Sequence, residues 1–358
     1  MKIFFLIAAV FGFFTQGLAL QPDPASLQLF KANDQRFQYT GRIDFSNPEA
    51  PRYWMPGVYV KAKFTGSKCF VLINDEMPDA KTHNYIEIVI DNLKPVRIQL
   101  SAKKNEIDAG KDLSLGEHTI LICKNTEAGT GYIDFIGLKC AGLKKLPAKP
   151  VRKIEFIGNS ITCGTGSDLS EIPCGKGVWQ DQHNAYMSYG AATARNLNAA
   201  YHLTSVSGIG LMHSCCNIGI IMPQVFDKVN MRRDSIAWNF KNYQPDIVTI
   251  CLGQNDGIQD STTFCNNYVA FIKQVRAQYA RASIVCLTSP MADEKLVMVM
   301  KQYLTAIVNA ANNSGDKKVS KYFFSKRYHN GCDSHPDLEE HQQIAAELTA
   351  YLKELKNW

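Results

Sequence analysis

The chain has 358 residues, more than one typical domain needs, and 46% of them are hydrophobic, which excludes a disordered chain and fits two packed units. Charged residues make up 20% and the formal net charge is +6 with the basic residues scattered, so a nucleic-acid partner, which requires a concentrated basic face, is not expected. Eleven cysteines, an odd number, leave at least one without an intramolecular partner.

The chain opens on Met1-Lys2-Ile3, one positive charge, followed by an almost wholly apolar run from Phe4 to Phe14. Gly17-Leu18-Ala19 then places small residues two apart, the pattern cleaved in export signals. Residues 1–19 therefore read as a signal peptide, and the remainder as secreted or periplasmic. The apolar run is too short to span a bilayer. No later stretch suits a membrane anchor, and a monomer is expected.

From Phe37 to Leu143 the grammar is period two. Val58, Val60, Ala62 and Phe64 alternate with mostly polar neighbours, as do Ile86, Ile88 and Ile90, then Ile120 and Ile122, then Ile133 and Phe135. This alternation predicts half-buried strands. Turn-forming pairs separate them at Gly66-Ser67, Asn74-Asp75, Asp91-Asn92 and Gly129-Thr130-Gly131. An all-β sandwich of jelly-roll type over 20–145 follows. Leu146-Pro147-Ala148-Lys149-Pro150 reads as a linker, spanning 146–151.

From 152 to 358 the grammar changes. Strands are expected at 153–157, 201–206, 247–252, 283–287 and 321–324, and helices at 186–197, 264–279, 296–312 and 336–355. Alternating strands and helices predict an α/β domain, a parallel sheet flanked by helices. Ligands of such sheets bind beyond the carboxyl ends of the strands. Four segments meet that description: Gly158-Asn159-Ser160-Ile161-Thr162, Ser207-Gly208-Ile209-Gly210, Gly253-Gln254-Asn255-Asp256, and Asp333-Ser334-His335-Pro336 before the last helix.

Each segment contributes one part of an acyl-transfer site. A serine hydroxyl at 160 is a poor nucleophile until a base takes its proton, and His335 titrates near neutrality. The backbone N–H groups of Ser160 and Gly208 and the side-chain amide of Asn255 form a candidate oxyanion hole. Glycine at 208 allows close backbone approach. Pro336 fits the first turn of a helix and so fixes where His335 stands. Asp256 is read as a brace for its loop. His183, His202, His213 and His329 are read as packing or surface histidines. Trp179, Tyr186 and Met212 lie in segments that can border the cleft. No zinc-site spacing and no nucleotide-binding motif occurs, and the proposed chemistry needs no metal or cofactor.

These four blocks, in this order, resemble those of SGNH (GDSL-like) hydrolases. The run from Tyr186 to Gly210, with a β-domain in front, is similar to carbohydrate esterase family 2 acetyl esterases. The resemblance implies a jelly roll followed by an SGNH domain, and removal of O-acetyl groups from xylan or glucomannan by a Ser160–His335 pair. It departs at three places. Asn159 replaces an aspartate, Gln254 stands where threonine is commoner, and Cys332 occupies the usual place of the orienting acid. Asp333 then either completes a triad, or His335 works in a dyad held by a backbone carbonyl. An esterase of another acyl substrate (a lipid or a sialic acid acetate) and a non-catalytic carbohydrate-binding protein stay open. Cys163 and Cys174 flank a short loop and are expected to pair; Cys251 and Cys286 are expected as buried thiols.

Overall fold

The computed structural model describes residues 26–91, 93–110, 113–232 and 236–358. The segment read as a signal peptide lies outside the described residues. Among the described residues the first half forms nine antiparallel strands: β1 (Gln28–Lys31), β2 (Gln38–Thr40), β3 (Arg52–Tyr53), β4 (Tyr59–Asp75), β5 (Tyr85–Ile90), β6 (Val96–Gln99), β7 (Lys104–Asp108), β8 (Glu117–Lys124) and β9 (Ile133–Lys144). Period-two alternation delivers Val60, Ala62, Phe64, Val71 and Ile73 of β4 into the core, each 1% exposed or less.

Gly66-Ser67 does not end a strand. It sits inside the 17-residue β4, where the pairing with β9 shifts register between Thr65 and Cys69. Gly66 takes φ +100°, which an L side chain tolerates poorly, so the chain bulges and bends instead of reversing. The first half of β4 pairs with β8 and the second half with β7, and β9 follows both.

The second half is a five-stranded parallel sheet. It comprises β10 (Arg152–Gly158), β11 (Ala199–Ser205), β12 (Ile247–Cys251), β13 (Ser283–Leu287) and β14 (Val319–Tyr322), in the order β11-β10-β12-β13-β14. Its helices are α1 (Ser160–Cys163), α2 (Tyr189–Asn196), α3 (Met222–Val225), α4 (Ser261–Gln278), α5 (Glu294–Asn313) and α6 (Leu338–Lys356). α2 and α6 pack Ala191, Ala194, Ile344, Leu348 and Leu352 with Ile154 and Phe156 on one face. α4 and α5 pack Phe264, Phe271, Leu304 and Ile307 with Ile157, Val248 and Ile250 on the other. Burial on both faces explains why β12 reads as an apolar run. The strand order reverses direction around β10, which makes its carboxyl end the crevice of the sheet.

Several boundaries shift by one to three residues from expectation, α2 starting at Tyr189 and α4 at Ser261 among them, and two of the shifts have a visible cause. α6 starts at Leu338, not Pro336, because Asp337 caps it: its carboxylate accepts the Glu340 N–H at 2.8 Å, and Glu340 reaches back in a capping box. Pro336 lies just outside the helix. β14 ends at Tyr322, two residues early, where the Phe324 N–H turns away to the Thr288 hydroxyl.

The two halves share buried polar seams. Arg42 from the β-domain, 2% exposed, pairs with Glu155 in the middle of β10 at 2.8 Å and donates to the carbonyls of Phe226 and Lys228. Glu155 also accepts from the hydroxyls of Thr204 and Tyr279. A second seam is the β8–β9 connection. There the Asn125 carbonyl accepts the Ala185 N–H and the Asn125 side chain accepts the Tyr186 N–H. Arg97 of β6 reaches the carbonyls of Asp181 and His183.

Candidate active site

β10 ends at Gly158, and the chain turns at once into α1, a single turn whose first residue is Ser160. Asn159 caps that turn by accepting the Ile161 N–H at 3.2 Å. Ser160 is 7% exposed, with its hydroxyl at the floor of a hollow of about 410 Å³.

His335 arrives from the loop before α6. Its Nε2 stands 2.8 Å from Ser160 Oγ, across 175 residues of sequence. Its Nδ1 stands 2.9 Å from the Cys332 carbonyl oxygen. A carbonyl only accepts, so Nδ1 carries the proton, and Nε2 keeps its lone pair toward the serine. The orienting group is thus the backbone of Cys332 and not the carboxylate of Asp333, whose side chain lines the hollow and acts on the ring by charge. Asp333 and Ser334 take φ +51° and +60°; this left-handed pair carries the chain from Cys332 to His335, whose own N–H also returns to the Cys332 carbonyl. Burial lowers the His335 pKa below its ordinary 6.5, while the Cys332 carbonyl and the Asp333 charge oppose that shift.

The three expected donors border the same hollow. Gly208 takes φ +79°, a conformation that L side chains rarely adopt, and a Cβ there would press on Ile218 Cδ1 at 2.7 Å and Cys215 Sγ at 3.1 Å. Asn255 donates one amide hydrogen to the Ile209 carbonyl at 2.8 Å, which fixes the side chain and leaves its second hydrogen. Asp256, 5% exposed, accepts the N–H groups of Leu211, Met212 and His213 at 2.9, 2.6 and 3.0 Å. It is structural, as read, but it braces the loop after Gly208 and not its own.

Of the three residues whose segments can border the cleft, Trp179 lines it, 46% exposed, with its ring edge-on to His183. Tyr186 does not: it is 7% exposed, turned under Arg195 on another face. Met212 packs against the core. His213 and His329 are exposed, and His202 stacks on Tyr243.

The disulfide expectation is corrected. Cys174 pairs with Cys332, and Cys163 is a buried thiol facing Ser205 Oγ at 3.2 Å. Cys163 sits in α1, 1% exposed, with its thiol among Ser205 and Glu127. Cys215 and Cys216 form a second disulfide between chain neighbours, and both line the hollow. Cys251 and Cys286 are buried thiols, as expected. Sequence reasoning missed Thr165, Arg232 and Met291 in the wall; nothing in their spacing singles them out.

A parallel sheet with a serine–histidine pair, a glycine amide and an asparagine amide converging at its carboxyl edge defines an SGNH hydrolase. Residues 156–321 match the family model described as GDSL-like Lipase/Acylhydrolase family, and residues 39–150 match Carbohydrate esterase 2 N-terminal. A family two carbohydrate esterase from Clostridium thermocellum, solved in complex with cellohexaose, superposes with a TM-score of 0.81 at 33% identity, covering 90% of this chain and 99% of that one. An acetylxylan esterase / glucomannan deacetylase of Cellvibrio japonicus is 27% identical over 346 residues, 93% of each chain. The cellulase/esterase CelE of Acetivibrio thermocellus is 34% identical over 337 residues, 89% of this chain, which spans 39% of that longer protein. The chain belongs to carbohydrate esterase family 2.

Proposed function

We propose that this chain is a serine esterase that removes O-acetyl groups from a plant-type polysaccharide such as xylan or glucomannan. The observation that carries the reading is the 2.8 Å approach of His335 Nε2 to Ser160 Oγ at the floor of a hollow bordered by amide donors. His335 takes the hydroxyl proton as Ser160 attacks the acetyl carbonyl. The N–H groups of Ser160 and Gly208 and the Asn255 amide receive the negative oxygen; one such donor is worth about 2.7–4 kcal/mol of barrier. The intermediate expels the sugar hydroxyl, which takes the proton back from His335. Water, activated by the same imidazole, then releases acetate from the acetyl-enzyme. Exposed Trp179 at the lip offers an apolar face to a sugar ring.

The substrate class rests on the relatives: one is named for acetylxylan and glucomannan, and another holds a cello-oligosaccharide. The reading of residues 1–19 as an export signal supports a reaction outside the cytoplasm, where disulfides persist. The test is acetate release from acetylated xylan and glucomannan. Ser160→Ala should lower it by about 10⁴-fold or more with the fold intact. Acetate release surviving in that variant, or a preference for long acyl chains, overturns the reading.

A further inference from the structure

Glu127 belongs to the β8–β9 connection of the first domain, yet its side chain ends beneath the catalytic edge of the second. It is 1% exposed. Its Oε2 accepts the Ser207 N–H at 2.7 Å and the Cys163 thiol at 3.7 Å. Its Oε1 lies 3.8 Å from the Arg232 guanidinium at the rim of the hollow. A carboxyl group buried this deeply is costly to keep unless hydrogen-bond donors replace the water it has lost.

Its main partner is telling. Ser207 and Gly208 are the central residues of a tight turn that the Ile209 N–H closes onto the Val206 carbonyl at 3.2 Å. Gly208 at φ +79° is the signature of the third position of a type II turn. In that turn the peptide between the central residues is flipped relative to type I, so the direction of the Gly208 N–H depends on how Ser207 is held. Ser207 is held twice: by Glu127 on its N–H, and by Thr165 on its hydroxyl at 2.7 Å.

We propose that Glu127 is a positioning residue for the oxyanion hole: through the Ser207 N–H it aims the Gly208 donor, which makes the first domain a part of the catalytic machinery. What is required is the acceptor and its reach. A negative charge near a developing oxyanion opposes it, and Arg232 offsets that charge. The proposal rests on the esterase reading, and hydrolysis of an aryl acetate by the parent chain checks that reading separately.

Three variants separate acceptor, charge and bulk. Glu127→Gln keeps an acceptor at the same reach without the charge. Glu127→Asp keeps the charge and withdraws the acceptor by one methylene. Glu127→Met keeps the bulk and has no comparable acceptor. Full loss of an oxyanion donor costs about 10²–10³-fold in kcat, so a misaimed one should cost about 10–100-fold. The expected result is kcat within about threefold of parent for Glu127→Gln and about 10–100-fold lower for Glu127→Met and Glu127→Asp, with KM within about twofold throughout. Should Glu127→Met not fold, the Gln and Asp variants decide between them. Parent-like kcat in Glu127→Asp or Glu127→Met, a change confined to KM, or an equal fall in Glu127→Gln overturns the proposal while leaving parent activity in place.

Discussion

In the proposed mechanism His335 is a base prepared without a carboxylate against its ring. Nδ1 donates to the Cys332 carbonyl, a neutral dipole, and burial pushes the pKa down. The unprotonated form is the working one, so a lowered pKa extends activity toward acid. The acid limb of kcat/KM should therefore fall below pH 6.5, the ordinary value for histidine; a limb at 7 or above contradicts the geometry. Asp333 acts on the ring by charge, raising its pKa. Asp333→Asn should thus move the limb slightly lower and change kcat by about threefold or less. In a serine–histidine–aspartate triad the same change costs about 10⁴-fold, so a loss of that size assigns Asp333 the orienting role after all. Ser160, Gly208, Asn255 and His335 were legible because each stands at a strand end or helix start. The acceptor for Nδ1 was not, since every residue has a carbonyl and only the left-handed step at Asp333-Ser334 selects that of Cys332.

Among the elements, the parallel strands were the most legible, because two-sided burial writes continuous apolar runs. The bend inside β4 and the cap of α6 were not: Gly66 signals a turn and a bulge alike, and Asp337 competes with Pro336 as a start signal. Long-range sulfur pairing was also hidden, since Cys174 meets Cys332 across 158 residues. That bond ties the loop bearing Trp179 to the loop bearing His335. It is not the sole anchor of the latter. The Cys332 N–H donates to the Gly166 carbonyl at 2.8 Å, and the His335 N–H to the Cys332 carbonyl at 3.0 Å. Cys174→Ser should therefore cost stability more than chemistry: about 2–4 kcal/mol in denaturant unfolding, from the freed loop in the unfolded state. Aryl acetate kcat should change by less than about threefold, because the backbone contacts that aim Nδ1 remain. Unchanged stability with a large loss of kcat makes the disulfide a catalytic anchor instead.

At the scale of the whole molecule, polar groups are buried at the domain seam and beneath the sheet, and each has a required protonation state. Arg42 and Glu155 pair with one another at 2.8 Å. Three histidines do not have that recourse. His183, His202 and His341 are buried and held neutral, their pKa values lowered first by desolvation; His341 is taken to about 3. For His341 the geometry says the same thing. Its Nδ1 accepts the Tyr189 N–H at 3.1 Å, and a proton on that nitrogen would face another donor. The unfolded chain takes up these protons near pH 6.5, whereas the folded chain resists them, so stability is complete above that pH and declines as pH falls through it. Each such histidine contributes a slope of about 1.4 kcal/mol per pH unit within its window, which for His341 runs from 6.5 down to about 3. The urea midpoint should accordingly drop between pH 7 and pH 5. His341→Asn, whose side-chain oxygen accepts the Tyr189 N–H without titrating, should flatten that decline by one histidine's share. A midpoint independent of pH over this range, or an unaltered slope in His341→Asn, means that the folded chain admits the proton and that the contact between α2 and α6 yields to it.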